Sequence, residues 1–117
     1  MLVAPERFGE QARALVRRTE NELFLSAASA WEIAIKWGLG KLELPEPPAR
    51  AVPQLMTRTA VTPLPIQHSH ALHVAELPSH HRDPFDRILI AQARLESLPI
   101  LTVDPLFDPY EVERVPA

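Results

Sequence analysis

The sequence predicts a single α/β domain over residues 1–117, in which short strands alternate with helices. Short apolar runs that suit buried strands stand at residues 23–26 and 99–102, and longer segments with apolar residues at helical spacing lie between them. The length of 117 residues suits one domain. Because strands and helices in alternation imply βαβ units, we expect a parallel sheet with helices on its faces.

The individual elements are predicted from periodicity and from the residues that stop helices. Residues 1–3 are too short for a useful strand, whereas residues 5–19 have apolar positions at helical spacing. Leu23–Ser26 is a buried strand, and the helix over 27–39 that follows it ends at glycines, the residue type preferred just beyond a helix. The later elements are, in order, a helix over Pro48–Thr59, an edge strand with prolines over 61–65, helices over 67–77 and 84–97, and strands over 99–102 and 110–115.

Composition excludes several classes of protein. Since there is no cysteine, the chain has neither disulfides nor thiolate metal ligands. No apolar run approaches the roughly 20 residues of a membrane helix, so we expect a cytoplasmic protein. The formal net charge of −3 disfavours a simple basic nucleic-acid binder. It is compatible with an enzyme whose acids hold divalent cations.

The most informative segment, residues 80–93, begins a helix with two acids at its start. Asp83 suits the N-cap, Pro84 the first helical position and Asp86 the third, and an apolar run follows. One interpretation is that the two acids only stabilise their own helix, because an acid at a helix N-terminus contributes about 0.3–1 kcal/mol to its stability. The other interpretation is that these acids belong to a binding site.

Glu32 lies in the predicted helix over 27–39. The apolar residues of this helix cover almost its whole circumference, which predicts that the helix is buried. Lys36 follows four residues later, the favourable order for an ion pair. The alternative is that the Glu32 carboxylate points into a cleft.

Asp104 follows the strand over 99–102 and has two interpretations as well. It either caps a short helix before Pro105 or joins Glu32 and Asp86 in a site. Ligands of parallel sheets bind beyond the carboxyl ends of the strands, where several carboxylates would repel one another unless a cation joined them. Oxygen ligands without cysteine select Mg²⁺ or Mn²⁺.

The histidines have a zinc interpretation and a simpler one. His68, His70 and His73 lie in one predicted helix, and two more histidines follow at 80–81. No cysteine or HExxH pattern accompanies them. We therefore expect these histidines to be polar residues of the surface and of loops.

Three segments resemble the PIN-domain ribonucleases, and more closely the VapC-type toxins of bacterial toxin–antitoxin pairs. They are residues 24–36, 81–93 and 101–104, which read FLSAASAWEIAIK, HRDPFDRILIAQA and LTVD. The resemblance covers about residues 5 to 115. It implies a three-layer α/β/α PIN-like fold with a short parallel sheet, and cleavage of RNA that depends on Mg²⁺ or Mn²⁺. It also implies a VapB-type antitoxin that blocks the site, and a homodimer.

The resemblance also assigns roles to residues. Glu32, Asp86 and Asp104 match the second, third and fourth acids of the family, which are its catalytic and metal-binding residues. Asp83 matches an auxiliary acid, and Thr102 a residue that supports the metal or its waters. The cations expected to meet RNA phosphates are Lys36, Arg82 and Arg87.

The start of the chain departs from the family pattern. The family begins with a strand that carries its first acid, and this sequence enters where the second helix of the family begins. We therefore expect an N-terminally truncated fold with three principal acids and no central strand. The strands at 23–26 and 100–102 would then become open edges. The explanations are a start codon assigned too late, a decayed toxin, or strands shared in a dimer.

Two functions compete with that of a nuclease. A non-catalytic toxin remnant or interaction module would bind antitoxin, or a second copy of itself, through exposed strand edges. A structural α/β fragment would use its acids only as helix caps.

Overall fold

A computed structural model describes residues 1–4, 22–78, 83–101 and 114–115. The predicted helix over 5–19 lies outside the described residues, as do Arg82, Thr102 and Asp104. The described strands form one five-stranded sheet in the order β3-β2-β1-β4-β5, and each neighbouring pair is parallel. The predicted parallel sheet is therefore confirmed. The strands are β1 Leu2–Val3, β2 Leu23–Ser26, β3 Val61–Leu64, β4 Ile100–Leu101 and β5 Arg114–Val115.

The helices of the described residues follow the predicted order. They are α1 Ala27–Gly38, α2 Pro48–Thr59, α3 His68–His73, which continues into a 3₁₀ turn over Val74–Glu76, and α4 Pro84–Glu96. The bounds of α2 match the prediction, and α1 and α4 each end one residue earlier. β3 lies at an edge of the sheet, as its prolines predict. The long helix expected over 67–77 is wrong in its second half, where the backbone tightens to 3₁₀ geometry.

The centre of the sheet corrects the sequence prediction. Leu2 of β1 pairs with Phe24 of β2 on one side and with Ile100 of β4 on the other, so neither β2 nor β4 is an open edge. Residues 1–3 were expected to be too short for a strand, but Leu2 and Val3 are fully buried. Two residues suffice here because a ladder partner stands on each side.

Apolar clusters on the two faces of the sheet give the fold three layers. Successive strand residues point to opposite faces, so Val3 enters one cluster and Leu2 the other. Ile33 of α1 and Val52 of α2 cover the Val3 face, whereas Leu89 and other residues of α4 cover the Leu2 face. The predicted three-layer α/β/α architecture is thereby confirmed.

Helix α1 is less buried than the sequence predicts. Its buried residues are Ala28, Ser29 and Ile33, which occupy the face toward the sheet. Trp31 is 62% exposed and Leu39, just beyond the helix, 64% exposed. The prediction of a buried helix is wrong because the described elements cover one face of α1 only. Among the described helices, none has the length and apolar character needed to cross a membrane.

Candidate functional site

The first turn of α4 is built as the sequence predicts. An Asp83 carboxylate oxygen accepts hydrogen bonds from the backbone N–H groups of Phe85 at 2.9 Å and Asp86 at 3.4 Å. Pro84 takes the first helical position, where its missing N–H costs nothing. Asp86 is half-buried at the third position. The N-cap prediction is confirmed, so Asp83 has a structural role whatever else it does.

Glu32 is held by the ion pair that its spacing predicts. The Lys36 Nζ lies 3.5 Å from a Glu32 carboxylate oxygen, and the Glu32 side chain is 15% exposed against 52% for Lys36. A pair of this kind on a helix surface contributes about 0.3–0.5 kcal/mol. Both side chains line one cavity.

That cavity joins α1 to the start of α4. It has a volume of about 570 Å³, and we call it the acid–lysine cleft. Glu32 and Asp83 both line it, and two cations, Lys36 and Lys41, line it with them. Asp86 lies in the same first turn of α4 as the residues that line the cleft, but Asp86 itself does not line the cleft. The remaining lining residues are Ile35, Leu39, Pro84 and Phe85.

A second cavity adjoins the cleft, and we call it the Trp31 pocket. Its volume is about 350 Å³, and it shares Pro84 and Phe85 with the cleft. The Trp31 and Phe85 rings meet edge to face, with centroids 5.1 Å apart and planes at 74°. Sequence analysis assigned Trp31 to a buried helix and missed this pocket. The other lining residues are Ala28, Ile66 and Ile88.

Arg87 is engaged with the backbone that precedes α4. Its Nη1 donates to the Pro78 carbonyl at 3.0 Å, and its Nη2 donates to the carbonyls of Val74 at 3.0 Å and Leu77 at 3.4 Å. This arrangement ties the end of the α3 segment to the first turns of α4. The phosphate contact suggested for Arg87 stays a prediction, and the geometry gives the residue a structural role.

The histidines of α3 form no metal site among the described residues. His70 is buried: its Nδ1 accepts the Gln67 N–H at 3.0 Å, so Nε2 carries the hydrogen and donates to a Glu96 oxygen at 2.8 Å. His73 pairs with Glu76 at 2.7 Å. The expectation of surface histidines is wrong for His70, which the packing of α3 on α4 buries. In residues 1–4, 22–78, 83–101 and 114–115, no three acids, histidines or cysteines group as metal ligands.

The predicted gathering of Glu32, Asp86 and Asp104 stays a prediction, because Asp104 lies outside the described residues and Asp86 does not line the cleft. The carboxyl ends of β2 and β4 do point the same way, and α1 begins directly after β2. The central strand β1, Leu2–Val3, carries no acid. Of these three acids, Glu32 lines the acid–lysine cleft, together with Asp83, Lys36 and Lys41.

This fold is that of a PIN domain, and the chain belongs to the PIN-domain family, whose sequence model matches residues 1–112. The resemblance drawn from the sequence is confirmed. The chain is 51% identical over 63 residues to Ribonuclease VapC16 of Mycobacterium tuberculosis (strain ATCC 25618 / H37Rv). That match covers 54% of this chain and 45% of the relative, so the chain spans about half the length of the curated relative it matches.

Solved structures share the fold at low sequence identity. VapBC2 from Rickettsia felis, bound to a DNA fragment from its promoter, aligns with a TM-score of 0.72 at 11% identity, over 98% of this chain and 96% of that one. FitAB bound to an IR36 DNA fragment aligns with a TM-score of 0.68 at 17% identity, over 98% of this chain and 93% of that one. FitAcB from Neisseria gonorrhoeae aligns with a TM-score of 0.65 at 18% identity, over 97% of this chain and 94% of that one.

Proposed function

We propose that this chain is a VapC-type endoribonuclease that cleaves RNA with Mg²⁺ or Mn²⁺. The observation that carries the proposal is the acid–lysine cleft, which combines the Glu32 and Asp83 carboxylates with Lys36 and Lys41, where α1 and the segment after it meet the start of α4. Carboxylates suit a divalent cation, and the lysines suit the phosphates on either side of a scissile bond. The 51% identity to a ribonuclease over 63 residues supports the same reaction.

The donor set of the site fits a hard cation. Glu32, Asp86 and Asp104 are the proposed metal-binding and catalytic residues, all of them oxygen donors, in a chain without cysteine. A bound Mg²⁺ or Mn²⁺ would supply activation of water and stabilisation of charge on the phosphate. We assign the auxiliary roles to Asp83, which also fixes the helix start that presents Asp86, and to Thr102.

The chain's own cations would position the RNA. Lys36 holds the Glu32 carboxylate and, at 52% exposure, can turn toward a phosphate, while Lys41 lies on the same cleft. Arg82 is a further proposed phosphate contact. Because the guanidinium of Arg87 donates to three carbonyls, we assign it to fixing the cleft wall in preference to RNA.

A cleavage assay with labelled single-stranded RNA and Mn²⁺ tests the nuclease. We expect cleavage that stops with EDTA, and a loss of at least about 100-fold in Glu32→Gln and Asp86→Asn, as when one group of an interdependent catalytic set is removed. Glu43→Gln, an exposed acid outside both cavities, is the matched control and should keep full activity. The proposal fails if the folded chain never cleaves RNA, or if both site variants cleave as the control does.

We further propose a VapB-type antitoxin as partner, together with a homodimer in the cytoplasm built from one domain over 1–117. The similarity to VapBC2 and FitAB supports the partner. So do Ile35 and Leu39, which are exposed apolar residues on the cleft that a bound peptide would cover. Co-purification with the product of a small adjoining gene, with loss of cleavage, would support this partner. Sedimentation velocity tests the dimer, and a monomer at every concentration would contradict it.

The alternative of an interaction module that uses open strand edges had two motivations, a missing central strand and a missing first acid. The first is removed, because β1 pairs with both β2 and β4. The second stands for the described residues, because β1 carries no acid. The cleavage assay decides between the nuclease and this alternative.

A further inference from the structure

The Trp31 pocket is an exposed aromatic site that folding leaves uncovered among the described residues. Trp31 is 62% exposed, although a side chain of this size gains much from burial. Phe85 braces the indole ring edge to face, which fixes its orientation. The rest of the lining is aliphatic or proline, so the pocket offers flat apolar surface and the indole N–H as its side-chain donor.

The position of the pocket suggests what enters it. Pro84 and Phe85 form a wall that the pocket shares with the acid–lysine cleft. On the cleft side stand Lys36 and Lys41, whose charge suits a phosphate, beside the Glu32 and Asp83 carboxylates, which would face the phosphate through a bound cation. A nucleotide joins a flat aromatic ring to a phosphate through one sugar, and these two cavities present an aromatic ring and two cations on either side of one wall.

We propose that the Trp31 pocket holds one unpaired base of the RNA by stacking on Trp31, while the neighbouring phosphate lies in the acid–lysine cleft. This inference rests on the proposed function, because it takes RNA as the substrate. Stacking of bases on aromatic side chains is tolerant of sequence, since every base has a π-face. The pocket therefore selects single-stranded RNA, and it discriminates little between bases.

A peptide is the other class of occupant for an apolar pocket, and the lysines beside the pocket favour RNA over it. A peptide would need a separate acidic side chain to reach Lys36 and Lys41, whereas every nucleotide joins a flat base to a phosphate and uses both cavities together. Protein binding at Trp31 is accordingly an outcome of the experiment that would overturn the proposal.

The experiment measures binding of a fluorescein-labelled single-stranded oligoribonucleotide to the full chain in EDTA, where no cleavage interferes. We expect Trp31→Leu to weaken binding roughly ten-fold, the amount typical of one stacked base. Trp31→Phe should restore most of the affinity. Trp37→Leu is the matched control, because Trp37 is on the same helix, 40% exposed, and lines neither cavity. Thermal unfolding confirms that each variant is folded.

A second arm of the experiment removes a base from the RNA and leaves the Trp31 ring intact. A set of oligonucleotides is used in which each has one abasic position. At the position whose base stacks on Trp31, the wild type and Trp31→Leu should bind with equal affinity, because no base remains to stack. The proposal is overturned if Trp31→Leu binds RNA as the wild type does, or if Trp37→Leu weakens binding as much. It is also overturned if Trp31→Leu loses a co-purifying protein partner but keeps its RNA affinity.

Failure of this inference and failure of the proposed function give different results. If the wild type cleaves RNA with Mn²⁺ and Trp31→Leu matches Trp37→Leu, the nuclease stands and the base site is wrong. If no RNA is cleaved but the Trp31→Leu and abasic effects are present, the base site stands and the nuclease is wrong.

Discussion

Two regions of this chain contain residues with hydrogen-bonding side chains and use them in opposite ways. Between α3 and α4, His70, Gln92 and Arg87 are buried or half-buried and bonded to the chain's own backbone and side chains. Along α1, beside the start of α4, Glu32, Lys36 and Trp31 line cavities that open to solvent. The first region fixes the fold, and the second is the region that we propose to bind RNA.

The difference teaches that residue type alone does not separate the two roles. The histidine-rich segment suggests chemistry, yet His70 serves as a buried hydrogen-bonding group with a partner at each ring nitrogen. The apolar helix over 27–39 suggests core, yet it exposes Trp31, Ile35 and Leu39. What separates the roles is whether another element of the chain packs against the side chain.

The comparison is tested most strongly at His70. We expect His70→Ala to lower the free energy of unfolding by about 2–4 kcal/mol, because it leaves a cavity and unpaired polar groups on Gln67, Gln92 and Glu96. Denaturant titration measures the change. His68→Ala, exposed on the same helix, should stay within about 0.5 kcal/mol of the wild type. Equal stabilities for the two variants would contradict the structural role of His70.

Arg87 provides the next test, since the sequence suggests RNA binding for it and the structure suggests packing. We expect Arg87→Leu to cost about 1–3 kcal/mol of unfolding free energy, because three carbonyls lose their donor. Arg94→Leu, an exposed arginine at the end of α4, is the control and should change little. The opposite pattern, with weaker RNA binding at unchanged stability, would move Arg87 to the binding region.

Lys36 should show the smallest change in stability. We expect Lys36→Met to alter the unfolding free energy by no more than about 0.5 kcal/mol, because its ion pair with Glu32 is on the surface. RNA binding should nevertheless weaken. The magnitude of the slope of log affinity against log salt should fall by about the amount that corresponds to one phosphate contact. Arg50→Met, exposed on α2, removes the same charge away from both cavities. Identical salt slopes for the two variants would show that Lys36 does not contact RNA phosphates.

Much of the fold was predictable because its signals are local. The start of α4 follows from Asp83 and Pro84, whose side chains act on the backbone within one helical turn. The bounds of α2 and the edge position of β3 follow from periodicity and from proline in the same way. The Glu32–Lys36 ion pair follows from a spacing of four residues on one helix.

Other features were decided by tertiary structure. Leu2 and Val3 form the central strand because β2 and β4 offer ladder partners on both sides, and a two-residue segment carries no signal of that by itself. The burial of His70 and the exposure of Trp31 depend on which helices pack against them.

By itself, then, the sequence determined the family, the alternation of strands and helices, and the acids to test. It did so because helix caps, periodicity and short motifs act over a few residues. Only the tertiary structure decided that Glu32 and Asp83 share a cleft with two lysines, and that an exposed indole lies across its wall. Asp83 is distant in sequence from Glu32, Trp31 and the two lysines, and only the packing of α4 against α1 brings it to them.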